Sequence, residues 1–156
     1  MQTEDTIKSN VSIIASSLND SMQRENDNIR YLSYNAGFRE KLQNAGKDMN
    51  GLVKELNNSV EPAFWYFITS DENLKGIRIY SPNVENAVGS FLLPMSAEEE
   101  PGWYEEHQED FGTEWEYQNR QIFASRIILD ANRSSEPIGF IRIELFPDKF
   151  LAPIFQ

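Results

Sequence analysis

Pro137–Ile138–Gly139–Phe140–Ile141–Arg142–Ile143–Glu144–Leu145 is the stretch whose reading decides the fold. Ile141, Ile143 and Leu145 alternate with Phe140, Arg142 and Glu144, the period of two that marks a strand with two distinct faces. Just upstream, Gln121–Asp130 is rich in β-branched and aromatic residues, and Ala131–Pro137 between the two has turn composition. The pair predicts an antiparallel hairpin. Further upstream, Gly76–Ser81 sets Ile77 and Ile79 against Arg78 and Tyr80, and Ser81–Pro82–Asn83 ends it. Val88–Leu93 predicts one more short strand.

The first third has a different period. Ile7, Val11, Ile14, Leu18, Met22, Ile29 and Leu32 fall three, four or seven apart, close to a heptad seam that polar residues interrupt near Glu25. With no Gly or Pro between Thr6 and Tyr34, one long helix is predicted there. A short helix over Phe38–Gln43 and an amphipathic one over Asp48–Ser59 follow, the second limited by Pro62. Ala63–Ile68 either extends that helix or forms a buried strand; periodicity does not decide. The fold class is therefore α+β, in one domain spanning 1–156, with a helical region over 1–60 and a sheet region over 61–156.

The chain has 156 residues, 25 acidic against 14 basic, and a net charge of −11. Nucleic acid is excluded as a partner on that balance, because phosphate affinity rests on Lys and Arg. No cysteine is present, which removes disulfides, thiolate metal sites and cysteine nucleophiles. One histidine, His107, leaves little for imidazole chemistry, so neither a metal nor a cofactor is expected. No run approaches the ~20 apolar residues of a membrane span, and the polar, acidic start is no signal peptide. The early onset of helix and the apolar Phe150–Phe155 end suit a piece of a larger protein.

Nine acids lie between Glu98 and Glu116, with no Lys or Arg among them, so the rest of the chain is nearly neutral. Trp103, Tyr104, Phe111, Trp115 and His107 share that segment. A calcium loop would need the alternating Asp spacing that is absent here. A glycosidase or sugar-binding module would need two facing carboxylates beside stacking tryptophans, with Glu105, Glu106 and Glu109 as candidates. The simplest reading is a solvated acidic segment pinned to the core by Trp103, Phe111 and Trp115, with His107 exposed.

The order of these features resembles a known family. Gly102–Trp103–Tyr104, Phe111–Gly112, Trp115, Ala124–Ser125–Arg126–Ile127–Ile128 and Pro137–Leu145 resemble the extracellular Cache-type (PAS-like) sensor region of Gram-positive two-component sensor histidine kinases. Gly76–Ser81 is similar to that family's first core strand, and Thr6–Tyr34 to its long leading helix. The resemblance implies a non-catalytic, ligand-sensing domain on the outer face of the cell membrane, tethered through segments outside this chain. The kinase itself would lie elsewhere, since no nucleotide loop or phosphoacceptor box occurs here.

Arg78 and Tyr80 share one strand face, and Arg126 and Arg142 are expected to join it. With Trp103 and Trp115 these six residues are the candidate ligand site, a guanidinium-rich pocket suited to a carboxylate or another small anion. The helix over Ile7–Leu32 is the candidate surface for a homodimer.

Overall fold

In a computed structural model that describes residues 4–132 and 136–152, the chain opens with the long helix α1, Glu4–Ser33. Helix α2, Ala36–Gln43, starts where the Asn35 side chain accepts the Phe38 N–H, and α3, Met49–Glu55, where Asp48 accepts that of Gly51. Both are side-chain caps for otherwise unpaired helix donors. Pro62 does not end the helical run. Leu56–Val60 form a π-turn, closed by the Glu61 N–H on the Leu56 carbonyl, and α4 continues over Glu61–Ser70. The wider turn makes room for a ring that would press on the preceding turn of a regular helix. Ala63–Ile68 is thus helix, with Phe64 in the core.

The sheet has the order β2-β1-β5-β4-β3, with β1 at Leu74–Ser81, β2 at Leu92–Pro94, β3 at Glu114–Gln118, β4 at Gln121–Leu129 and β5 at Pro137–Leu145. All pairs are antiparallel except β1–β2. The predicted β4–β5 hairpin is present, although part of its turn, 133–135, lies outside the described residues. The predicted Val88–Leu93 strand is shorter. Gly89, at φ +66°, turns the chain so that Val88 bridges Leu92 instead of extending the strand. Gly139 is fixed by proximity: a Cβ there would stand 2.4 Å from the Tyr80 carbonyl oxygen.

Helices cover one face of the sheet. Ile77, Ile79, Ile122, Ala124, Ile128, Ile141, Ile143 and Leu145 meet Ile29 and Leu32 of α1, Phe38 and Leu42 of α2, and Phe64 of α4. The α1 half that carries this packing begins at Leu18, and Ile29 and Leu32 are buried inside their own chain. The Ile7–Leu32 stripe is therefore not one free dimer surface. Glu25 does not interrupt it either; its side chain is buried on the same stripe. The opposite face is covered by the acidic segment, which folds over it as the 3-10 turn Met95–Ala97 and the short helix α5, Trp103–Glu106. There Tyr80, Ile127 and Phe140 pack against Trp103 and Tyr104. A last short helix, α6, spans Pro147–Phe150.

Candidate functional site

Strand register fixes what the outer face presents. Arg78 of β1 stands opposite Arg142 of β5, and Arg142 opposite Ser125 of β4. Tyr80, Phe140 and Ile127 form the next row, and Gly76, Glu144 and Phe123 the row on the other side. Two guanidinium groups directly across a strand pair repel one another, so this face must be neutralised from outside the sheet. The acidic segment does that. Glu99 pairs with Arg78, and the Glu100 carboxylate lies 4.0 Å from the Arg142 Nη2. Glu144 of the same face pairs with Lys75 at 3.0 Å.

Arg142 is the most constrained group in the site. Its side chain is 4% exposed. Its Nε donates to the Ser125 hydroxyl at 2.8 Å, and its guanidinium carbon lies 5.3 Å from the ring centres of Trp103, Phe123 and Phe140. These contacts hold the cation by its faces and by one donor. Nη2 has no hydrogen-bond partner. Lys75, Arg78, Tyr80, Glu99, Phe123, Arg142 and Glu144 line a cavity of about 120 Å³. At ~30 Å³ per water, that is room for a few waters or a small carboxylate.

The covering segment is held by polar contacts of its own. The Trp103 indole N–H donates to Glu116 at 2.6 Å, Glu98 accepts the Tyr104 N–H at 3.4 Å, and Gln118 donates to Glu100. Burial pushes the Glu98 carboxyl above the usual carboxylate range, and Glu100 is pushed up by burial and by neighbouring Glu116. His107 is half-buried rather than exposed. Its ring stacks on Trp103 at 4.3 Å between centres, and its Nδ1 lies 2.7 Å from the Trp103 carbonyl oxygen. Phe111, expected to pin the segment, is 56% exposed and pins nothing.

Of the six sequence candidates, Arg78, Tyr80, Trp103 and Arg142 meet on the outer face. Trp115 and Arg126 do not. Because Ser125 pairs with Arg142, the next residue points to the helix side, where Arg126 donates to the Tyr34 hydroxyl and the Thr113 hydroxyl, each at 3.2 Å. It is a clamp between α1 and the entry to β3. Trp115 stacks on Phe150, also on the helix side. The reason is parity: side chains alternate, so a one-residue difference in register exchanges the faces. Phe123, Ser125, Glu99 and Glu144 were missed. The β5 alternation already placed Glu144 beside Arg142, and Phe123 and Ser125 follow once β4 is registered against it. Among the described residues no cluster of three or more metal-ligating side chains occurs, and no helix is long and apolar enough to cross a membrane. The chain matches no protein-family profile, no curated protein and no solved structure.

Proposed function

We propose that this chain is a signal-input domain that binds a small carboxylate or similar anion between the outer face of its sheet and its acidic cover. In this reading it is the extracellular, Cache-type part of a membrane sensor histidine kinase, and it performs no catalysis. The observation that carries the reading is Arg142: a buried cation among the rings of Trp103, Phe123 and Phe140, lining a small cavity, whose Nη2 makes no hydrogen bond and meets the Glu100 carboxylate only at 4.0 Å. A buried charge left without a full set of partners is costly, and a carboxylate brought against the Arg142 guanidinium as the cover gives way relieves that cost.

The cover suits a ligand-operated device. Glu99 and Arg78 are each about half exposed, and a pair of that kind contributes only ~0–1 kcal/mol. An incoming carboxylate thus displaces Glu99 from Arg78 at little cost. Arg142 lies on β5, which leads directly into α6, so occupancy of the site is mechanically close to that helix. A ligand that favours the displaced cover shifts the population towards it by its difference in affinity for the two arrangements. The alternative sugar-active reading has less support. Trp103 is buried against Phe140 with its N–H occupied by Glu116, so no tryptophan platform lies open beside Glu105, Glu106 and Glu109.

The test is a thermal-shift and calorimetric titration with small carboxylates and amino acids, each beside its neutral amide. At 100 times its dissociation constant a ligand adds ~2.7 kcal/mol, a shift of several degrees. Binding of the amides as tight as that of the acids would sink the proposal.

A further inference from the structure

Three consecutive glutamates of the cover part company above the sheet. Glu99 turns to Arg78 and Glu100 to Arg142, whereas Glu98 has no Lys or Arg within ion-pair distance among the described residues. One of its oxygens accepts the Tyr104 N–H at 3.4 Å, so its carboxylate leans on α5. Glu105, on the first turn of α5, has no cation beside it among the described residues either. Both acids border an open cavity of about 670 Å³, whose apolar wall is Pro82, Met95 and Pro101. That volume lies within the ~300–1,000 Å³ of small-molecule sites.

Tyr104 lines the same cavity and brings an unmet need to it. The residue is 7% exposed, and its ring stacks 6.0 Å from that of Phe140. Its hydroxyl makes no hydrogen bond among the described residues, and burial alone pushes the phenol up to about 12. The group therefore stays a neutral hydroxyl, able both to donate and to accept. A tyrosine this far buried normally finds a partner for its hydroxyl. Here the partner comes from the cavity, as water or as a ligand that replaces it.

We infer that this cavity binds a small organic ammonium ion, its nitrogen held by Glu98, Glu105 and the Tyr104 hydroxyl and its hydrocarbon body laid on Pro82, Met95 and Pro101. Burial chiefly, and Glu105 as one of the smaller causes, push the Glu98 carboxyl up, so the two acids are near enough to repel. A cation set between them cancels that repulsion, whereas a neutral ligand leaves it and an anion adds to it. A divalent metal ion fits less well. Among the described residues no three metal-ligating side chains converge, which leaves such an ion short of the oxygens it needs. The cavity shares no wall residue with that of Arg142, so the inference stands apart from carboxylate binding.

Calorimetric titration of the whole chain with phenethylammonium, beside uncharged phenethyl alcohol and in carboxylate-free buffer, tests it. The alcohol should bind at least about tenfold more weakly than the ammonium. Glu105→Gln and Tyr104→Phe should each weaken the ammonium by about 5- to 10-fold. Neither should move the melting temperature, since Glu105 is exposed and the Tyr104 hydroxyl has no bond within the described chain to lose. Glu106→Gln removes the same charge from the same helix but off the cavity, and should change the affinity less than about twofold. Equal binding of alcohol and ammonium would overturn the inference, leaving only an apolar contact. Equal losses in Glu105→Gln and Glu106→Gln would overturn it too, leaving only the general negative field. Full affinity in Tyr104→Phe, or no ammonium binding at millimolar concentration, would do the same. Calcium that displaces the ammonium one for one would overturn it in favour of a metal site.

Discussion

Two arginines with the same chemistry and nearly the same burial have opposite roles, which a pair of substitutions separates. Arg142 is 4% and Arg126 8% exposed. Arg142 lines a cavity and leaves its Nη2 without a hydrogen bond, whereas Arg126 spends its donors on Tyr34 and Thr113. Replacing Arg142 by Met removes a cation whose nearby glutamates are accessible enough to rehydrate, and the thioether packs well against the rings already there. The buried Ser125 hydroxyl does lose its donor, so the unliganded chain should melt several degrees lower, while the carboxylate-induced shift disappears. Arg126→Met should lower the melting temperature comparably and keep that shift. Loss of two hydrogen bonds made by a buried charged group costs ~1–3 kcal/mol, a fall of several degrees, with the ligand shift intact. Parallel melts of both variants with and without carboxylate check this. If Arg126→Met removed the ligand shift and Arg142→Met did not, the site would be on the wrong face.

Among the elements, β3 and the acidic cover mark the limit of what the sequence showed. The long helix and β1 were legible because each has one buried and one distinct face, so period and burial agree, and the β4–β5 hairpin because a β-branched run, an alternating run and a turn-rich link between them mark it. Strand β3 was not, since Glu114–Trp115–Glu116–Tyr117 alternates but is acidic, and reads as part of a loop. In β4 both faces are buried, as the cover lies on one and helices on the other. Polarity then no longer tells Ser125 from Arg126, and the site could not be assembled without the register. The β3–β4 connection gives an independent check on that register. Gln118 pairs with Gln121, leaving Asn119 and Arg120 as a two-residue turn at φ +52° and +62°. This is the type I′ geometry, which favours Gly at the second position. Arg120→Gly should stabilise the chain by ~0.5–1 kcal/mol, seen as a rise of a few degrees in melting temperature. The cover has its own signature. If Glu99 competes with the ligand for Arg78, Glu99→Gln should tighten carboxylate binding by up to ~5-fold, the equivalent of ~1 kcal/mol. Weaker binding in a calorimetric titration would mean that Glu99 helps to hold the ligand instead.

At the scale of the whole molecule, the layers meet at a buried acid that no local pattern announced. Glu25 of α1 is fully buried, and both its carboxyl oxygens and the Asp71 Oδ2 lack hydrogen-bond partners. Asp71 ends α4, and its other oxygen accepts the Asn73 N–H. The Asn73 carbonyl in turn accepts the Phe146 N–H after β5, so helix layer and sheet are tied within a few residues. The nearest cation is Arg24, 3.6 Å from Glu25 and 3.7 Å from Asp71, and it is half exposed. Burial first, and Asp71 second, push the Glu25 carboxyl up to about 8 from an ordinary 4.5. The folded chain therefore holds a proton between those values that the unfolded chain has lost, and the slope of stability with pH is negative there. Glu25 makes its full contribution below pH 4.5, loses it progressively as pH rises to about 8, and contributes no further slope above that. Glu25→Gln keeps the size and a donor towards Asp71 but cannot ionise. It should match the wild type at acid pH, surpass it increasingly from near pH 5 upwards, and hold a constant advantage of several kcal/mol above about pH 8. Urea unfolding at a series of pH values measures the difference directly, because every other titrating group is common to both chains. A wild-type and Gln pair whose curves stay parallel from pH 4 to 9 would show that Glu25 ionises inside the fold as easily as outside it. The junction would then be held by Arg24 and not by a protonated Glu25 carboxyl.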